Sequence, residues 1–241
     1  MRLANKKALV TGANGGIGKA IVEKFQAEGA IVTGTDTAET AADFSIGGDL
    51  LDPAFCDNLP MTAANLMGGL DIVVNNAGII TRGDITQANN EDYARTMGIN
   101  VEAPFRICRA AIPIMAKAGG GAIVNTSSCW GIHPGPNHPL YVMSKAAIAS
   151  LTQCLGMDHA HQNIRVNAVC PNEVNTPMIR TGFEMRGLDP DKAIEELNAS
   201  VPLGRIAEPE DISDVVLFLA SDQSRYMCGA LLQVNGGKPV Q

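Results

Sequence analysis

Tyr141 and Lys145, in the segment Tyr141-Val142-Met143-Ser144-Lys145, stand one helical turn apart, so a helix there carries a phenol and an ammonium on one face. A free phenol ionises near pH 10, too high for a base at neutral pH, and a cation beside it favours the ionised form. Such a pair suits a base working near neutral pH. The pair alone is a common surface accident, so its companions carry the weight. Ser127-Ser128 lies upstream, at the end of the apolar run Ala122-Ile123-Val124, and Asn75-Asn76-Ala77-Gly78 follows directly on Ile72-Val73-Val74.

A second cluster points to a nucleotide. Thr11-Gly12-Ala13-Asn14-Gly15-Gly16-Ile17-Gly18 follows Ala8-Leu9-Val10 and opens an amphipathic run in which Ile17, Ile21 and Phe25 recur about once per turn. Glycines there let backbone amides approach a pyrophosphate at the positive end of a helix. The common Gly-x-Gly-x-x-Gly fingerprint is absent. The Walker pattern fails too, because Ala13 replaces its first glycine and Ala20 stands where Ser or Thr must hold magnesium, which excludes a P-loop NTPase. The plainer alternative is a tight strand-to-helix turn with no ligand. Asp36, about 20 residues beyond the turn, closes the run Ile31-Val32-Thr33 and would accept hydrogen bonds from an adenosine ribose while repelling a 2′-phosphate. Thr35 and Thr37 are neutral and no Arg occupies Ala13 or Asn14, so NAD is favoured over NADP; the alternative for Asp36 is a solvated loop carboxylate.

The elements that must hold these residues are short apolar runs alternating with helical patterns. Arg165 to Val169 and Leu231 to Val234 join the runs already named, and Ile212, Val215, Val216 and Leu219 recur helically behind Pro209 and Glu210-Asp211. The alternation predicts an α/β fold: a Rossmann-like, doubly wound parallel sheet with helices on both faces, in a single domain spanning 1–241. The 241 residues are 46 % hydrophobic and 18 % charged with 25 glycines, which suits one packed domain rather than disorder. A net charge of −7 argues against a nucleic-acid partner. The six cysteines fall singly, without ligand spacing to the histidines, so neither metal nor disulfides are expected and the cysteines read as small buried hydrophobes. Met1 to Lys7 form no apolar leader and no run is long enough to span a bilayer, so a cytoplasmic protein with no membrane partner is expected. The irregular stretch Thr176 to Pro202 reads as a lid over a site, with Asp191 to Ala199 helical.

Taken together, these motifs resemble the short-chain dehydrogenase/reductase family over essentially the whole chain. The resemblance implies a catalytic set of Asn100 (in Gly98-Ile99-Asn100-Val101), Ser128, Tyr141 and Lys145, with Ser127 the lesser candidate. It implies cofactor contacts from Gly12, Asn14, Gly16, Ile17, Gly18, Asp36, Asp49, Leu50, Asn76, Ala77, Gly78, Tyr141, Lys145, Pro171, Val174 and Thr176. Tyr141 would exchange the alcohol proton, Ser128 would hydrogen-bond the substrate oxygen, and Lys145 would lower the tyrosine pKa and bind the nicotinamide ribose. Asn100 would hold a water that passes the proton outward. The family's helices around Asn100 to Lys117 and Pro139 to Asp158 pair across two-fold axes, which implies a homotetramer.

Departures from the family pattern bear on the substrate. Asn172-Glu173 stands where many relatives have Gly and a bulky residue; either both face a polar substrate, or Asn172 takes a turn conformation usual for Gly and Glu173 faces solvent. Pocket walls are expected from Trp130, His133, His138, Met178, Arg180 and Arg186, and the two lid arginines could clamp an anion or be solvated. The span from Asp36 to Asp49 and the lid Arg186 to Pro190 are similar to 3-hydroxybutyrate and 2-keto-3-deoxy-sugar-acid dehydrogenases. That implies a small hydroxy acid, sugar acid or hydroxysulfonate as substrate. Neutral polyols, cyclic diols and ketoacyl reduction are the alternatives within the family, and an NAD-sensing protein without turnover is the alternative outside catalysis.

Overall fold

The computed structural model describes residues 1–238; the last three residues of the expected 1–241 domain lie outside the described ones. Seven strands, β1 (Lys7–Thr11), β2 (Ile31–Asp36), β3 (Phe44–Gly47), β4 (Ile72–Asn75), β5 (Gly121–Thr126), β6 (Ile164–Pro171) and β7 (Leu231–Val234), alternate with eight α-helices. The helices are α1 (Gly16–Ala27), α2 (Pro53–Met67), α3 (Asn90–Met97), α4 (Ala103–Ala118), α5 (Pro139–His159), α6 (Pro177–Glu184), α7 (Pro190–Ala199) and α8 (Pro209–Ala220).

The strands form one sheet in the order β3-β2-β1-β4-β5-β6-β7, and every neighbouring pair is parallel. Alternate side chains leave opposite faces of a strand, and this divides the core in two. Val10, Val74 and Val124 pack with Ile21 and Phe25 of α1 and Ile212 and Val216 of α8, whereas Leu9, Val73 and Ile123 pack with Leu59 of α2 and Ile107 and Met115 of α4. The runs read as apolar throughout because both faces are covered. The doubly wound sheet is thus as the sequence implies.

The chain reverses its winding between β1 and β4, which opens a crevice at the carboxyl ends of these strands. The glycine turn, Asp36 and the Asn76-Ala77-Gly78 segment all emerge there. The stretch expected as a lid folds into α6 and α7, which share a small cluster of Phe183, Ala193, Ile194, Val201 and Ile206. A single π-helical turn, Gly98–Glu102, joins α3 to α4 and carries Asn100.

Candidate active site

Packing, more than side-chain chemistry, shapes the glycine turn. Gly12 has φ +65° and a Cβ there would sit 2.8 Å from Ala77 Cα, while a Cβ on Gly18 would overlap the Gly12 carbonyl oxygen. Asn76 Nδ2 donates to the carbonyls of Thr11 and Gly12 at 3.1 and 3.2 Å, and Thr11 Oγ1 accepts from the Asn76 and Ala77 amides, so the turn is tied to the end of β4. Gly15 caps α1 without a side-chain hydrogen bond and the first turn carries no acid, so its amides stay open to an anionic ligand. Asp36 Oδ2 accepts from the Asn14 amide at 2.9 Å and Oδ1 from the Thr37 amide at 2.8 Å. No ion pair among the described residues involves Asp36. This cradle, with spare carboxylate lone pairs beside it, fits a nicotinamide dinucleotide.

Tyr141 and Lys145 share one face of α5, with Lys145 Nζ 5.8 Å from the phenol ring centroid. Burial pulls the Lys145 ammonium down to about 8, and Nζ donates to the Thr126 carbonyl at 2.8 Å. Burial also pushes the Tyr141 phenol up, opposed by a hydrogen bond from Ser128 and by the field of Arg82. Desolvation thus sets the direction of the phenol's shift, and Lys145 Nζ is oriented by the Thr126 carbonyl. Ser128 Oγ accepts from the Trp130 amide at 3.1 Å and faces the Pro171 carbonyl at 3.4 Å. Ser127 Oγ instead donates to the Lys145 carbonyl at 2.8 Å, a structural bond that ties the segment after β5 to α5.

Asn100 is buried on the π-helical turn. Its Nδ2 donates to the Ile79 carbonyl and to Ser144 Oγ, both at 2.9 Å, and its Oδ1 accepts from the Ile79 amide at 2.8 Å. These bonds hold the segment after β4 against α5, so the side chain helps to position the site.

One cavity of about 630 Å³ runs from Gly12 and Asp36 past Tyr141 and Lys145 to the lid. Its wall is continuous with both the glycine turn and the catalytic residues, and its lid side includes Met178 and Arg186. Trp130 packs tilted against His138 at 4.8 Å and edge-on to Tyr141 at 6.5 Å, so it is wall, as expected.

A family model described as Enoyl-(Acyl carrier protein) reductase matches residues 12–238. The chain belongs to the short-chain dehydrogenase/reductase family. It is 38% identical to a 3alpha-hydroxysteroid dehydrogenase of Mediterraneibacter gnavus, over 98% of each chain. It is 37% identical to a trans-4-hydroxycyclohexanecarboxylate dehydrogenase of Sinomonas cyclohexanicum, over 98% of this chain and 94% of the other. Among solved structures, the aldohexose dehydrogenase of Thermoplasma acidophilum matches with TM-score 0.94 at 32% identity, covering 99% of this chain and 96% of the other. These three names span a steroid, a cyclic hydroxy acid and a sugar, so the fold fixes the class of reaction and leaves the substrate to the cavity.

In this short-chain dehydrogenase/reductase several expected contacts fall elsewhere. Asp49 is exposed just beyond β3, its Oδ1 accepting from the Leu51 amide, and Leu50 packs into the core with Phe44, Ile46 and Phe55; neither lines the cavity. His133 is exposed and outside it. Arg180 is outside as well: it pairs with Asp191 at 2.9 Å and donates to Asn175 Oδ1 at 3.1 Å, bracing α6 against α7. Asn172 has no left-handed backbone, so the glycine-like turn falls; its amide donates to the Val234 carbonyl and the residue lines the cavity. Glu173 lines it too and does not face solvent, because its Oε1 accepts from Lys238 Nζ at 2.7 Å. Sequence reasoning missed Arg82, which enters the cavity from the loop after β4. Of the cysteines, Cys56, Cys108, Cys129 and Cys170 are buried as expected, but Cys154 and Cys228 are exposed. Among the described residues no cluster could hold a metal ion and no helix is long and apolar enough to cross a membrane.

Proposed function

We propose that this short-chain dehydrogenase/reductase uses NAD and interconverts a secondary alcohol and its ketone on a small polar substrate, a hydroxy acid, sugar acid or hydroxysulfonate. The observation that carries this reading is that one cavity holds the Asp36-bearing glycine turn at one end and Tyr141, Ser128 and Lys145 further along. When bound, the nicotinamide supplies the hydride acceptor or donor. The turn from Gly12 to Gly18 and the open amides of α1 would hold its pyrophosphate, Asp36 its adenosine ribose, and Asn76, Ala77, Pro171, Val174 and Thr176 its nicotinamide half.

The remaining chemistry belongs to the chain. Tyr141 gives a proton to the ketone oxygen or takes one from the alcohol, and Ser128 hydrogen-bonds that oxygen as its charge changes. Since burial holds the phenol protonated at neutral pH, Tyr141 is an acid ready for reduction there, and alcohol oxidation gains as pH rises toward the phenol's ionisation. Lys145, buried behind the phenol, supplies a donor for ribose hydroxyls, and Asn100 keeps the segment after β4 in place.

The test is formation of reduced nicotinamide with NAD or NADP across hydroxy acids, sugar acids, hydroxysulfonates, neutral polyols and cyclic diols, in wild type and Tyr141→Phe. Turnover of polar acids with NAD, falling by about 10²–10⁴-fold in the variant, is expected. Preference for neutral polyols or for NADP overturns the substrate or cofactor assignment; NAD binding without turnover of any alcohol makes the protein a sensor. We further propose a homotetramer built through α4 and α5, whose Phe105, Met143 and Met157 side chains stand exposed. A monomer in sedimentation would overturn it.

A further inference from the structure

Arg82 and Arg186 both line the cavity, and no ion pair among the described residues involves either of them. Arg82 is half-buried. Among the described residues its side chain makes one hydrogen bond, a long one from Nη2 to the Met178 carbonyl at 3.4 Å. Arg186 leans over the Phe183 ring at 4.9 Å and donates from Nε to the Gly182 carbonyl at 3.0 Å, which leaves its terminal nitrogens without a partner. The two guanidinium groups are close enough for each to oppose the other's charge: burial first and Arg186 second pull the Arg82 pKa down.

The acids of the same cavity do not relieve this. Glu173 is neutralised by Lys238, and Asp36 is held at the glycine turn by the Asn14 and Thr37 amides. His138 adds no charge, because burial and the same two arginines keep its pKa low and its Nδ1 is bonded to the Pro136 carbonyl at 2.8 Å. In a chain of net charge −7, two arginines facing one cavity without a counter-charge are a local exception. The position of Arg82 is also built into the lid, since a Cβ on Gly182 would overlap its guanidinium. Arg82 lies within the field of the Tyr141 phenol, which places the positive charge near the reacting oxygen.

We propose that Arg82 and Arg186 together bind a carboxylate of the substrate, so that the alcohol or ketone handled at Tyr141 belongs to a small hydroxy or keto acid. Planar guanidinium forks match a carboxylate with two parallel hydrogen bonds, and the pair would replace the water that each loses on closure of the lid. This rests on the oxidoreductase reading for the identity of the reacting carbon, but not for the anion site itself. Arg82 takes the place beside Arg186 that the anion-clamp alternative of the sequence reading gave to Arg180.

Trp130 is the only tryptophan of the chain and lines the cavity, so its fluorescence reports binding without any turnover. The experiment pairs two readouts on wild type, Arg82→Gln, Arg82→Lys, Arg186→Gln and Arg180→Gln. One is steady-state oxidation, with NAD, of short 2- and 3-hydroxycarboxylates against their methyl esters and the matching hydroxysulfonates. The other is quenching of Trp130 by propionate and by methanesulfonate.

In wild type, acids are expected to be preferred over esters. In Arg82→Gln the KM for the acid should rise by about 10- to 100-fold and the propionate quench should weaken by a similar factor. Arg82→Lys, which keeps the charge and loses the fork, should recover part of both, and Arg180→Gln should retain the acid preference. A stronger response to the sulfonates than to the carboxylates keeps the clamp and overturns the choice of headgroup. Esters turned over as well as acids, or a quench unchanged in Arg82→Gln, overturn the proposal. A propionate quench that Arg82→Gln abolishes, with no turnover of any alcohol, supports the anion site while removing the oxidoreductase reading.

Discussion

Gly18 lines the glycine-turn end of the cavity and Gly182 packs against Arg82 at the lid end, and the two respond differently to an added methyl group. A methyl group on Gly18 would meet the backbone oxygen of Gly12 and the amide of Asn76, neither of which can move without opening the turn. A methyl group on Gly182 would meet the end of the Arg82 side chain, which can swing away. The cofactor end is thus defined by backbone packed against backbone, and the substrate end by side chains resting on a lid. A family that keeps one cofactor while changing substrates needs that division: the first end must not yield, and the second must be open to replacement residue by residue.

The sharpest way to break the comparison is Gly18→Ala. The turn must shift by about the size of a methyl group, and misplacement on the order of 1 Å can cost about 10²-fold in a site that depends on aligned amides. Loss of NAD binding by at least that factor is expected, together with a stability loss from overpacking of about 1–3 kcal/mol, seen as a lower Tm. Binding by titration calorimetry and unfolding by circular dichroism would measure both. Retained affinity would mean that the turn yields as the lid does.

Asp36→Ala should do less, because it removes contacts and leaves the backbone frame. Charge-assisted hydrogen bonds to ribose hydroxyls contribute about 1.5–3 kcal/mol, so affinity for NAD should fall by about 10- to 100-fold while NADP, no longer repelled, gains relative to it. The ratio of kcat/KM for the two cofactors is the measurement. An unchanged ratio would move cofactor choice away from β2.

The same division explains what the sequence made legible. The glycine turn, Asp36 and the Tyr141-Lys145 pair are local patterns on elements whose apolar runs are hydrophobic on both faces, so order along the chain was enough to put them together. β3 escaped because Phe44–Gly47 is a four-residue edge strand whose alternate residues, Ser45 and Gly47, are exposed. Pro60 inside α2 masked that helix. The substrate end was misread because it is assembled over long separations: Arg82 meets the Met178 carbonyl across 96 positions, and Arg180 is turned from the cavity by Asp191 on a different helix. Composition suggested two lid arginines, and only the docking of α7 decides which of them faces inward. Likewise the Tyr141-Lys145 spacing was readable, but the sign of the phenol's shift was not, since it depends on how deeply the pair is buried.

Gly182→Ala is the mildest test and the one that isolates the substrate end. Residue 182 is buried in α6 without a left-handed backbone, so alanine suits the helix better than glycine by about 1 kcal/mol before any contact is counted. The atoms nearest the added methyl group are those of the Arg82 guanidinium, which leaves its place over the lid and loses its bond to Met178. The fold should hold or gain slightly in Tm, NAD affinity should be unaffected because no cofactor-binding residue moves, and KM for a hydroxycarboxylate should rise by several-fold, about 10-fold at most, less than in Arg82→Gln because the cation stays nearby. Thermal unfolding, NAD titration and steady-state kinetics read the three quantities separately. A loss of NAD affinity as large as that expected for Gly18→Ala would show that the two ends are mechanically one, and the division drawn between them would fail.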